Sequence, residues 1–144
     1  MENSEGHAIN AGIKVRPGAR DFIRRMHGHF EVGVFTASQK EYAQQVIRVL
    51  DPLGELFDFQ FYRDNCLCTE KGVFVKDLRI FKDRAMSDLI MVDNSSYVFG
   101  LNVDNGVPVL PFYDAPSDRQ LDLLLPYLLS LVHLDVRSTN RNTF

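Results

Sequence analysis

A hydroxyl, an ammonium group and a carboxylate each follow a short apolar run in this chain. Thr36 comes after Phe30 to Phe35 (FEVGVF) and Lys76 after Val73 to Val75. Asp93, with Asn94 beside it, closes Asp88 to Asp93 (DLIMVD). That set suits phosphoryl transfer, because a dianionic phosphate needs charge neutralisation more than covalent assistance. Lys76 could act as a point charge on the non-bridging oxygens. Thr36 could donate a hydroxyl hydrogen bond, joined by backbone N–H groups at the start of the next helix. Asp93 is a hard oxygen ligand, and with Asn94 it suits a magnesium ion that keeps several waters. Each residue also has an ordinary structural use. Thr36 can shape a turn, Lys76 can be solvated, and Asp93-Asn94-Ser95 can form an Asx turn.

The elements that must position these groups can be read from periodicity and punctuation. Val15-Arg16-Pro17-Gly18 ends an extended segment and opens a helix over Ala19 to His27, with Phe22, Ile23 and Met26 at helical spacing. Phe30 to Phe35 reads as a buried strand of a parallel sheet. Ser38 with Glu41 forms a capping-box pattern for a helix that runs to about Leu50, with Tyr42, Val46, Val49 and Leu50 on its apolar face and Asp51-Pro52 as the stop. Phe57 to Tyr62, Val73 to Val75, Asp88 to Asp93 and Gly106 to Leu110 read as further strands. Asp118 to Leu131 reads as a final helix with Leu121, Leu124, Leu125, Leu128 and Leu131 in its stripe. Arg137 to Phe144 reads as a fraying polar tail. Alternating strands and helices predict an α/β fold with a mainly parallel sheet, whose ligands bind at strand C-terminal ends. Thr36, Lys76 and Asp93 all fall at such ends.

Composition narrows the function classes. The chain has 144 residues, 45% hydrophobic and 24% charged, with a formal net charge of −3. That is one domain's worth of ordinary globular sequence, and it lacks the clustered basic charge of a general nucleic-acid binder. Cys66 and Cys68 are one residue apart, too close for good disulfide geometry, and no histidine spacing completes a zinc set with them. A reducing compartment, nucleus or cytoplasm, is expected. Leu121 to Val132 is the longest apolar stretch. Asp122, Pro126 and Ser130 interrupt it, so no membrane-spanning segment is predicted.

Five motifs in order carry a family resemblance. They are Phe35-Thr36-Ala37-Ser38; Tyr42-Ala43; Tyr62-Arg63-Asp64-Asn65-Cys66; Val75-Lys76-Asp77-Leu78; and Val92-Asp93-Asn94-Ser95. Val15-Arg16-Pro17-Gly18 and Asn105-Gly106-Val107-Pro108-Val109 fit at either end. The pattern resembles the FCP/SCP-type phosphatases (NLI-interacting-factor-like), which act on the C-terminal domain of RNA polymerase II, within the haloacid dehalogenase superfamily. The resemblance implies a Rossmannoid three-layer fold and magnesium-dependent hydrolysis of phosphoserine or phosphothreonine in a protein substrate. It implies that Thr36 and Lys76 bind phosphate, that Asp93 and Asn94 stand at Mg2+, and that Tyr42 and Arg63 contact the peptide. Tyr42 as a core residue and Arg63 as a surface ion-pair former remain the alternatives. The chain then divides into a polar segment at 1–12, a homology domain at 13–134 and a polar tail at 135–144.

One departure bears on activity. The family's first motif is a strand ending in Asp-x-Asp-x-Thr, which supplies the nucleophile and the general acid–base. This sequence contains no such motif. The resemblance places that strand mid-sheet, so its loss implies neighbours with unpaired edges and a domain of poor stability. A truncated chain, inactive alone, is therefore expected rather than an evolved non-catalytic protein. A non-catalytic phosphopeptide- or partner-binding scaffold is the alternative. A small-molecule phosphatase is disfavoured by the Arg63–Cys66 segment. Family members also often carry a proline soon after Asp-Asn-Ser, where this chain continues Ser96-Tyr97-Val98-Phe99. A redistributed loop is the expectation there.

Overall fold

Pro17 and Gly18 start the first helix. Gly18 sits at its N-cap with φ of 79°, a left-handed conformation that glycine adopts without Cβ strain. A computed structural model describes residues 13–95 and 102–144. The readings for the polar segment at 1–12 and for the loop at Ser96 to Phe99 lie outside the described residues. Helix α1 (Ala19–His27) buries Ile23 and Met26 and carries Arg24 and Arg25 in its last turn, where cations complement the helix dipole. Strand β1 (Gly33–Phe35) follows, then helix α2 (Lys40–Leu50) and strand β2 (Phe59–Phe61). Arg20 of α1 donates to the last carbonyls of α2, at 2.6 Å to Val49 and 2.7 Å to Leu50, so groups that have no partner within the helix are satisfied from outside. Beyond α2, the buried Asp51 carboxylate accepts from the N–H groups of Glu55 and Leu56 at 2.9 and 3.0 Å and turns the chain toward β2.

A hairpin comes next, formed by β3 (Leu67–Cys68) and β4 (Phe74–Val75). Strands β5 (Met91–Asp93) and β6 (Gly106–Pro108) and helices α3 (Gln120–Ser130) and α4 (Val136–Thr143) complete the order. The sheet elements are three pairs. β1 and β2 are parallel, with Gly33 opposite Phe59; β5 and β6 are parallel, with Met91 opposite Gly106; and β3 and β4 are antiparallel. The expected α/β layering and mainly parallel pairing are present. The strands are shorter than the apolar runs predict, because pairing stops where the partner departs. The residues before β5, for example, form a 3₁₀ turn at Met86–Asp88.

Two hydrophobic clusters result. One joins Met26, Val107, Leu125, Leu128, Leu131 and Val136, and the other centres on Leu78 and Met91. The segment expected to fray is instead α4. Asp135 caps it by accepting from the Arg137 N–H at 2.9 Å, and Val136 is buried. The buried Asn140 side chain accepts from the Tyr127 hydroxyl at 2.5 Å and donates to the Asp104 carbonyl at 2.9 Å. These partners are remote in sequence, so the local polarity of the segment hides them.

Candidate functional site

Thr36 leaves β1 with its N–H bonded to the Phe61 carbonyl at 3.0 Å, which extends the parallel register by one residue. Its hydroxyl oxygen accepts from the Ser38 N–H at 3.1 Å. That bond uses an acceptor lone pair and leaves the hydroxyl proton to donate elsewhere, so the turn-shaping and phosphate-binding roles are compatible. Ser38 does not cap α2. Gln39 is the N-cap and makes no side-chain cap bond, because the Ser38 backbone is held by Thr36 and by the Arg63 N–H, which donates to the Ser38 carbonyl at 3.0 Å.

Lys76 follows β4 and Asp93 ends β5, and the fold joins them. The Lys76 ammonium donates to Asp93 Oδ2, and both side chains are largely buried, at 9% and 12% exposure. Asp93 Oδ1 accepts from the Ser95 N–H at 3.0 Å, the Asx turn anticipated for this triplet, and the Asp93 carbonyl accepts from Val109 at 3.2 Å. Each of these buried groups offsets the desolvation cost of the other.

Cys66 links this pair to Thr36. Its thiol points at the carbonyls of Tyr62 and Thr36, 3.8 and 3.9 Å away. Burial pushes the thiol pKa up, while Lys76 and Arg63 are near enough to pull it partly back. Among the described residues Arg63 makes no ion pair. Its Nε donates to the Ala37 carbonyl at 2.8 Å and its guanidinium lies 4.6 Å from the Phe74 ring centroid, so it spans the Thr36 turn and the hairpin. Asn65 shapes this corner by accepting from the Tyr62 N–H at 3.0 Å. Tyr42 is 58% exposed on α2 and is not a core residue. Ala43 is the buried residue of that helix. Asn94 is exposed beside Asp93.

The structure therefore brings Thr36, Arg63 and Lys76 near Cys66, pairs Lys76 with Asp93, and leaves Tyr42 and Asn94 open to solvent. Sequence reasoning missed the positioning residues. Buried Asn102 accepts from the Leu78 N–H at 2.8 Å, and buried Asn105 donates to the carbonyls of Met86 and Leu89 at 2.6 and 2.8 Å. They anchor the chain after Lys76 and before Asp93. The available signal was two amides flanking Val103-Asp104 just ahead of an apolar run. Both cysteines are free thiols.

The donor set bears on magnesium. Among the described residues no group of three His, Cys, Asp or Glu side chains could hold a metal. Asp93 and Asn94 supply one carboxylate and one amide oxygen, hard donors of the kind magnesium takes alongside water and phosphate oxygens. They fit the protein's share of such a shell, although the Lys76 ammonium competes for the same carboxylate. No helix among the described residues is long and apolar enough to cross a membrane.

Comparison with known proteins agrees with this layout. The family model for NLI interacting factor-like phosphatase matches residues 1–138. CTD small phosphatase-like protein 2 of Dictyostelium discoideum is 36% identical over 132 residues, covering 91% of this chain and 23% of its own length. The human carboxy-terminal domain RNA polymerase II polypeptide A small phosphatase 1 is 39% identical over 123 residues, covering 83% of this chain and 45% of its own length. The chain thus spans about a quarter to a half of these relatives. The solved structure of Fcp1, an essential RNA polymerase II CTD phosphatase, superposes with a TM-score of 0.59 at 25% identity, covering 82% of this chain and 33% of that one. Its fold is the haloacid-dehalogenase-like α/β arrangement expected from the motifs. With its motifs in register and a family model matching nearly its whole length, the chain belongs to the NLI interacting factor-like phosphatases.

Proposed function

We propose that the chain forms the phosphate-binding and metal side of a magnesium-dependent protein serine/threonine phosphatase site, with a phosphorylated protein such as the RNA polymerase II C-terminal domain as substrate. The largely buried Lys76–Asp93 pair, just past β4 and at the end of β5, carries this reading. Lys76 neutralises phosphate oxygens as an incoming phosphate competes for its ammonium with Asp93. Thr36 donates its hydroxyl proton to another oxygen. Arg63, fixed on the Phe74 ring and the Ala37 carbonyl, lies beside the Thr36 turn where a peptide flanking the phosphate would pass, with the exposed Tyr42 as a second contact. Magnesium, held by Asp93 and Asn94, would add positive charge at the phosphate oxygens. A nuclear location accords with such a substrate.

The sequence contains no Asp-x-Asp-x-Thr, so the reading assigns these residues phosphate binding and does not assign the chain hydrolysis on its own. The test is to fuse an apolar strand ending in that motif ahead of Ile13 and follow phosphate release from a phosphoserine peptide. Magnesium-dependent release that Lys76→Ala abolishes is expected. Release unaffected by Lys76→Ala would overturn the assignment. The second reading is a scaffold that binds a partner or phosphopeptide without hydrolysis. Partner binding that survives Asp93→Ala, with no release from the fused chain, would select it.

A further inference from the structure

The chain leaves β6 on the side of the molecule where the phosphate-binding groups lie. β5 and β6 are parallel with Asp93 opposite Pro108, and the Val109 N–H donates to the Asp93 carbonyl at 3.2 Å. The segment 110–117 therefore starts beside Asp93, at the strand ends where ligands of open α/β sheets bind. Adjacent strands lie about 4.8 Å apart and rise about 3.3 Å per residue, which puts Leu110 roughly 8 Å from Asp93. Arg16 closes the base of this loop. Its guanidinium donates to the two Asp118 oxygens at 2.9 and 3.0 Å and to the Leu110 carbonyl at 2.6 Å, and it lies 5.7 Å from the Phe112 ring centroid. The Arg16 and Asp118 side chains are largely buried, and the Gln120 side-chain oxygen accepts from the Leu110 N–H at 3.3 Å.

The tip that this anchor holds is apolar and open to solvent. Leu110 is 65% and Tyr113 80% exposed, Pro111 is exposed between them, and half-buried Phe112 lies against Arg16. Single exposed apolar side chains are ordinary, but Leu110, Pro111 and Tyr113 share one anchored loop, and loops held by a rigid scaffold are where binding residues concentrate. We propose that Leu110 and Tyr113 are specificity-determining residues, which contact an aromatic or aliphatic side chain of the substrate polypeptide about two to three residues from its phosphorylated position. Spacing carries the assignment. An extended peptide advances about 3.3 Å per residue, so one whose phosphate sits on Lys76, the partner of Asp93, reaches the loop within that distance. The contact is apolar because the tip offers an aliphatic side chain and a phenol ring and contains no basic residue, while the exposed Asp114 beside them disfavours a second phosphate there. Because Arg16 already holds the loop, binding orders little further chain. The loop lies on the Asp93 side of the site and Arg63 beside the Thr36 turn, so the two read different flanks of the phosphorylated residue. The inference rests on the phosphatase-site reading, since Lys76 fixes where the peptide crosses.

The test uses the full chain and fluorescein-labelled phosphoserine peptides, with binding read by fluorescence anisotropy. The peptides differ at one position, Phe or Ser, placed at that spacing on the N-terminal or the C-terminal side of the phosphoserine. On one of the two sides Phe should raise affinity roughly three- to tenfold, the size of one aromatic contact. Tyr113→Ser should reduce that gain, and Leu110→Ser with Tyr113→Ser should abolish it. Both changes are at exposed positions, and circular dichroism should show the fold unchanged. Leu53→Ser, at an exposed leucine beyond the end of α2, should keep the gain. Lys76→Ala should weaken every phosphopeptide, with or without Phe. No gain from Phe on either side, a gain that survives the double variant, or one lost equally in Leu53→Ser overturns the proposal, while binding that depends on Lys76 leaves the phosphate-site reading standing. Binding indifferent to Lys76→Ala, or no binding of any phosphopeptide, overturns both.

Discussion

Removing one charge of the Lys76–Asp93 pair should be far more costly than removing both. Lys76→Met leaves the Asp93 carboxylate, 12% exposed, with the Ser95 N–H as its partner among the described residues, and Asp93→Asn strands a 9%-exposed ammonium. Breaking a buried pair from one side typically costs about 3–5 kcal/mol, because the remaining charge is uncompensated. A domain of this length is stable by only about 5–15 kcal/mol, so either single change should lower Tm by roughly 10–20 °C. Replacing the pair with apolar residues, as in Lys76→Met with Asp93→Leu, should recover most of that loss, since both desolvation costs vanish together. The assay is urea denaturation of the parent, both single variants and the double variant, read as a double-mutant cycle. Single-variant losses under about 1 kcal/mol, the range of exposed pairs, would refute the reasoning, for they would mean that both groups are solvated. A pair that apolar residues can replace without loss of stability would be one kept for what it binds.

Three further outcomes follow from particular contacts. A Cβ at Gly33 would lie 2.1 Å from the Phe59 ring, so Gly33→Ala forces the ring aside and should cost about 1–3 kcal/mol in denaturant unfolding. Arg16 holds the Asp118 carboxyl below its ordinary range through bonds of 2.9 and 3.0 Å. A depressed carboxyl contributes stability that is complete above its unfolded value, about 3.9, and is lost as pH falls through the folded value. Stability profiles below about pH 4 should therefore be flatter for Arg16→Gln than for the parent. Burial holds the Cys66 thiol above its usual pKa, whereas Cys68 is exposed, so a thiol reagent at mildly alkaline pH should label Cys68 first in single-cysteine variants.

Much of the molecule was legible from residue order. Helices α1 and α3 follow from apolar spacing, and all five strand-forming runs contain a strand. Their ends were less legible, since a strand ends where its partner does and the partner is remote. Ser38 illustrates a local rule overridden by tertiary contacts: the capping-box spacing is present, yet Thr36 and Arg63 claim its backbone. Tyr42 shows the limit of periodicity, which places it on an apolar face that the fold leaves in solvent. The tail after Asp135 is polar by composition and helical in fact, because Asn140 finds buried partners in Tyr127 and Asp104.

The sequence by itself determined the fold class, the family and which groups stand at strand ends, since these depend on periodicity and on residue types in register. Only the tertiary structure decided that Lys76 and Asp93 pair in a largely buried site, that Arg63 rests on Phe74 and the Ala37 carbonyl, and that Asn102 and Asn105 anchor the chain around them. Those facts depend on distances between residues far apart in the chain, and such distances are set by packing and by the requirement that buried charges and backbone groups find partners.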